Sequence, residues 1–217
     1  MAARPGPDQT KVLRDKNVVR GLVRDIRKKA SSLAPPVRLM EVCGTHTMSL
    51  YRYGLSPQLS EAGVEMISGP GCPVCITPDA VHEAAIGLVS GLPNLILATF
   101  GDLTRVPTAR GSLRSAVPAA GSEVKVVYSP AEAVAAAAAQ PTKEIVFFGA
   151  GFETTIPSIA HSVREAKRLR LKNFSLLPAL RVIPPPLRSL LDAGETVIQG
   201  FLYPGHVSAI IGVKPYA

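Results

Sequence analysis

A chain of 217 residues with 47% hydrophobic side chains can bury ordinary cores, as one large domain or two small ones, and is not a disordered protein. Its formal charge of +8 raises a nucleic-acid reading, but aromatics are only 5%, Trp is absent and no RNA- or DNA-binding motif is present; solvated helix faces and an acidic protein partner fit the cations better. No apolar run is long enough to span a membrane and residues 1–9 lack a signal-peptide core, so a cytoplasmic location is expected, where three cysteines are free, metal-bound or redox-active rather than a disulfide scaffold.

Val12, Val19, Leu22, Val23 and Ile26 share one helical face, which predicts an amphipathic helix over 11–30, ended by Pro35-Pro36. Apolar runs then alternate with helical patterns. Residues 38–42, 64–68, 95–100, 124–128, 145–149, 174–177 and 197–202 read as strands, and 47–53, 79–90, 131–140, 154–170 and 185–193 as helices. Continuous apolar strands separated by helices indicate parallel sheets covered on both faces, hence an α/β protein. The expected layout is an N-terminal helical segment (1–36), a first α/β unit (37–118) and a second, incomplete one (119–217), facing a cleft. The boundary is placed at Pro118-Ala119-Ala120-Gly121.

The chemically unusual segments follow predicted strands, where open parallel sheets bind their ligands. Cys43-Gly44-Thr45-His46 pairs a thiol with an imidazole after a glycine turn, as a nucleophile or a soft metal ligand; a buried cysteine beside a helix-capping Thr45 is the plain alternative. Cys72-Pro73-Val74-Cys75 reads as a redox pair, half of a zinc site or a pair of buried structural thiols, with Pro78 and Asp79 opening the next helix; zinc would need Cys43 and a distant His46 or His206. Gly149-Ala150-Gly151-Phe152-Glu153-Thr154-Thr155 resembles an anion-binding turn but fails the dinucleotide fingerprint, and its threonines serve equally as helix caps. Asp102 and Arg105 share a loop and are able to pair with each other. His206 follows the last strand in Pro204-Gly205-His206-Val207-Ser208.

Together and in this order, Cys43 to His46, Gly69 to Cys75, Thr99 to Asp102, Gly151 to Thr155 and Pro204 to Ser208 resemble the signatures of the hydrogenase maturation family HypD, from about Val37 to the end of the chain. The resemblance implies a scaffold that assembles the Fe(CN)2CO group of nickel-iron hydrogenases with a HypC-like chaperone and the cyanide donor HypE. It implies Cys43 as iron ligand with His46 beside it, Cys72 and Cys75 as a redox pair, and cleft contacts from Thr45, Asp102, Arg105, Gly151, Glu153, Thr154, Thr155 and His206. It also implies a [4Fe-4S] cluster in a cysteine-rich domain beyond the point matching Lys214-Pro215-Tyr216, whose ligands this sequence does not contain; a chain truncated at its C-terminus is the expectation. Tyr203 stands where the family has a cysteine, and Ala179-Leu180-Arg181 where it has Asn-His-Lys. The alternatives are a non-catalytic fragment that only binds HypC or HypE, and a stand-alone thiol oxidoreductase.

Overall fold

The computed structural model describes residues 14–34, 36–194 and 197–216; Lys11, Val12 and Leu13, the start of the expected first helix, lie outside them. Helix α1 (Lys16–Ala30) begins where the Asp15 carboxylate accepts the amides of Asn17 and Val18. Strand β1 (Val37–Glu41), helices α2 (Gly44–Arg52) and α3 (Leu55–Glu61) and strand β2 (Val64–Ser68) follow. Then come α4 (Asp79–Gly91), β3 (Leu95–Thr99), a 3-10 turn (Leu103–Arg105), β4 (Glu123–Val126), α5 (Pro130–Ala139) and β5 (Glu144–Gly151). The described chain finishes with α6 (Ile156–Arg168), β6 (Phe174–Leu180), α7 (Pro184–Asp192), β7 (Gly200–Leu202), α8 (Gly205–Ile211) and a 3-10 turn (Lys214–Tyr216).

The elements form two compact units, Met1–Gly71 with Leu190–Pro204, and Cys72–Ser189 with Gly205–Ala217. The first holds a parallel sheet in the order β2-β1-β7, with Leu39 opposite Met66 and Gly200. Its core gathers Ala30, Val37 and Val64, with Ile26 of α1 and Leu59 of α3 against them. The cations of α1, such as Arg20, Arg24 and Lys28, are exposed and, among the described residues, take part in no ion pair.

The second unit holds a parallel sheet in the order β4-β3-β5-β6. Strand β3 is buried along its whole length, because Leu95 and Leu97 join Ala85, Ile86, Val89 and Phe148 on one face while Ile96 and Ala98 join Val127, Ala137, Ile145 and Phe147 on the other. The alanine-rich α5 covers that second face with Ala133, Ala136 and Ala137. Buried Asn173 gives its side-chain amide to the carbonyls of Ala137, Gln140 and Lys143, which satisfies the backbone where α5 ends.

The Pro118–Gly121 segment connects neighbours within one sheet: β3 and β4 on either side of it pair along Ile96–Thr99 and Glu123–Val126. Its proline and glycine serve a tight return, with Gly121 at a φ of 73° and the Asn94 amide donating to the Ala120 carbonyl. The chain instead passes between the units first at Gly71 and Cys72, inside the cysteine-bearing loop, and again at Ser189 and Leu190 and at Pro204 and Gly205.

Candidate functional site

Cys43 sits at the carboxyl end of β1. Extended backbone angles (φ −154°, ψ 121°) make it the N-cap of α2, yet its side chain makes no capping hydrogen bond. It is 4% exposed. The backbone around it is fixed from three sides. The Val42 amide donates to Leu202 O at 3.1 Å, the Gly44 amide to Gly71 O at 3.1 Å, and the Gly69 amide to Glu41 O at 2.8 Å. Gly71 lies so close that a Cβ there would overlap the Cys43 amide, which is why the loop after β2 is glycine at that point. Beneath the turn lies Glu41, 2% exposed: its Oε2 accepts the Cys43 amide at 3.1 Å and its Oε1 accepts the Thr47 hydroxyl.

His46 lies in the first turn of α2, and its Nδ1 is buried without a hydrogen-bond partner. The thiol and that nitrogen are therefore not bonded to each other. Thr45 is exposed inside the helix; the cap position belongs to Cys43. Sulfur and imidazole nitrogen form a donor set suited to a first-row metal ion.

Cys72 and Cys75 are free thiols of the second unit, Cys72 half-buried and Cys75 exposed. A helix-like turn holds them: the Ile76 amide donates to Cys72 O at 3.2 Å and the Thr77 hydroxyl to Pro73 O at 2.8 Å. The Cys75 amide points at Cys72 Sγ, 3.3 Å away. The Cys75 thiol is pushed up, first by its hydrogen bond to Cys72, then by burial and by the neighbouring charge. The Cys75 thiol thus holds its proton more tightly than an ordinary thiol does. Pro78 caps α4 and Asp79 begins it. Among the described residues no three His, Cys, Asp or Glu side chains are arranged to hold a metal, so the zinc half-site has no second half.

One turn into α4, His82 is 2% exposed, with neither ring nitrogen hydrogen-bonded and its ring edge-on to Phe148 at 5.5 Å. Burial pushes its pKa down, against smaller upward pulls from Asp79 and the Val74 backbone, so it is neutral. The apolar spacing of His82 with Ala85, Ile86 and Val89 would have identified it as a buried imidazole.

Strand order in the second unit places a switch point between β3 and β5, where the connections leave in opposite directions and a crevice opens. An open cleft of about 510 Å³ is found there. The loops after β3, β4 and β5 line it through Asp102, Tyr128, Gly151, Thr154 and Thr155, and the cysteine turn adds Pro73 and Val74. Thr155 is the N-cap of α6 but makes no capping bond, so the threonines are not spent as caps. Asp102 accepts the Leu103 amide at 3.0 Å and is not paired with Arg105, which lines a second cleft of about 770 Å³. Glu153 accepts the Ile183 amide through Oε1 at 2.8 Å, and the Arg181 amide donates to Gly151 O at 3.0 Å; both contacts pin the loop after β5 to the one after β6. His206 is exposed on α8 and lines neither cleft, and Tyr203 stacks on Phe201 at 5.9 Å.

Fold and site define a class: a parallel-sheet α/β protein that carries its thiols and a hydroxyl-rich cleft at the carboxyl ends of its strands. The family model for HypD, described as "Hydrogenase formation hypA family", matches residues 17–217, and the chain belongs to this family. It is 44% identical over 207 residues to the hydrogenase maturation factor HypD of Rhodobacter capsulatus, covering 94% of this chain and 54% of that protein. With HypD of Escherichia coli (strain K12) it shares 43% over 199 residues, covering 90% and 52%. With the hydrogenase expression/formation protein HupD of Azotobacter chroococcum mcd 1 it shares 44% over 210 residues, covering 94% and 54%. The chain thus spans about half the length of the curated relatives it matches. Among the described residues no helix is long and apolar enough to cross a membrane.

Proposed function

We propose that this chain acts in hydrogenase maturation, in the cytoplasm, as a scaffold on which the Fe(CN)2CO group of a nickel-iron hydrogenase is put together with a HypC-like chaperone and HypE. Iron and its diatomic ligands are cargo in this reading. The observation that carries it is the Cys43 centre: a buried thiol at a helix N-terminus, making no cap bond, with the unpartnered His46 Nδ1 one turn on. A thiolate suits iron that carries cyanide and carbon monoxide, and the imidazole is free to bind or orient beside it. Thr45, Asp102, Arg105, Gly151, Glu153, Thr154, Thr155 and His206 are the proposed contacts to cargo and partners. The switch-point cleft supports this for Asp102, Gly151, Thr154 and Thr155; Glu153 contributes by pinning their loop.

Cys72 and Cys75 serve as the redox pair by exchange with a disulfide of a partner protein: their sulfurs join in a disulfide as the partner's disulfide takes up the two electrons and two protons and becomes two thiols. A [4Fe-4S] cluster, implied by the resemblance, takes four thiolates, and the three cysteines of this sequence fall short of that set. No step is routed through it. Infrared spectra of the anaerobically purified protein, co-expressed with HypC and HypE, are expected to show cyanide and carbonyl bands that disappear in Cys43→Ala. Bands that survive the substitution would overturn Cys43 as ligand; capture of HypC without bands in the parent would favour a binding fragment.

A further inference from the structure

Glu41 ends β1, the middle strand of its sheet, with Ser68 and Leu202 beside it in register. A carboxylate at 2% exposure is costly unless its oxygens are bonded, and among the described residues no cation is paired with this one. Its bonds go instead to both ends of one short turn: Oε2 to the amide of Cys43, Oε1 to the hydroxyl of Thr47. Cys43 follows two residues later with extended backbone angles, so it leaves the strand on the face that Glu41 occupies. One side chain thus spans the first turn of α2.

We infer that Glu41, with Thr47, is the positioning residue of the Cys43 centre. The carboxylate accepts the N-cap residue's own amide, the bond that a capping-box side chain makes from within the helix, so it holds the Cys43 amide and the helix start in one arrangement and leaves the sulfur uncommitted. The backbone bonds from Gly69 and to Gly71 hold the loop opposite; Glu41 holds the turn itself. The inference rests on Cys43 as cargo ligand, and its test separates the two ideas.

The full chain carrying Cys72→Ser and Cys75→Ser leaves Cys43 as its sole thiol, and cobalt(II) alone serves as probe through the thiolate-to-cobalt charge-transfer band. Glu41→Ala is expected to weaken cobalt binding by about ten- to hundredfold, as loss of an outer contact to a metal ligand does, and to displace the band. Glu41→Gln, whose carboxamide can accept from the Cys43 amide and donate to the Thr47 oxygen, should stay close to the parent. Thr47→Val should fall between, with Thr47→Ser restoring the parent values. Glutamine as poor as alanine, or alanine equal to the parent, overturns positioning by hydrogen bonds. Should Glu41→Ala fail to fold, the Thr47 pair decides by the same criterion. If the parent gives no Cys43-dependent band, the ligand reading fails on its own. The rate of Cys43 alkylation then judges Glu41: a change in alanine that glutamine reverses supports the inference, and no change sinks it.

Discussion

The two thiol centres are built in opposite ways. Cys43 is buried, extended, and locked by long-range bonds to Leu202 and Gly71, while Cys72 and Cys75 sit in a turn whose bonds reach no farther than four residues along the chain. A centre fixed by partners distant in sequence keeps one geometry, as a ligand site must. A turn closed by its own atoms lets two sulfurs approach and separate without disturbing a sheet, as a dithiol must. Position at a strand end is shared; what differs is where the backbone bonds go.

Gly71→Ala tests that contrast hardest. The added Cβ overlaps the Cys43 backbone, so urea melts should show a loss of about 3 kcal/mol, the range of overpacking a tight contact, while dithiol titration of Cys72 and Cys75 is retained. An unchanged melt would mean that the loop yields and that Cys43 is not locked. Native alkylation should next separate the thiols, with Cys43 modified about a hundredfold more slowly than Cys75, the factor that a local opening costing about 2.7 kcal/mol imposes; equal rates would erase the distinction.

A third test uses His82 beside the dithiol turn. Its folded pKa lies below the unfolded value, so the unfolded chain binds the extra proton. Stability on this account is full above the ordinary histidine range and declines as pH falls below about 6.5, by no more than about 1.4 kcal/mol per pH unit for one proton. His82→Leu should flatten that decline in melts between pH 7 and pH 5; a slope identical to the parent would assign the acid sensitivity elsewhere. The smallest effect is on the dithiol itself. Cys72→Ala, which leaves no acceptor at that side chain, should let the Cys75 pKa fall back toward the ordinary thiol value, seen in thiolate absorbance against pH, because the hydrogen bond to Cys72 leads the causes that raise it.

Much of this architecture is legible in the chain. The apolar run Leu95–Thr99 is a strand buried on both faces, Val64–Ser68 is a strand that buries Val64 and exposes Glu65 and Ser68, and the Pro78-Asp79 pair opens α4 as its residue types require. Two short helices escape the reading. Helix α3 is polar and carries Pro57 in its first turn, while α8 starts on glycine and looks like the end of a strand-end loop. Glu41 is hidden because a charged residue inside an apolar run reads as solvent-facing, although its place directly before Val42-Cys43 was the available sign. The Pro118–Gly121 punctuation marks a turn and carries no information about which strands pair across it.

The sequence alone therefore determined the strand and helix series, the α/β class and the thiols at strand ends, because these depend on local periodicity and on turn-forming residues. Tertiary structure decided the rest: that β7, far along the chain, returns beside β1; that the units divide between Gly71 and Cys72; and that Glu41 reaches under Cys43. The physical reason is one of range. Propensity and pattern act over a few residues, whereas strand pairing and the satisfaction of a buried carboxylate are settled by whichever distant backbone and side chains arrive to complete them.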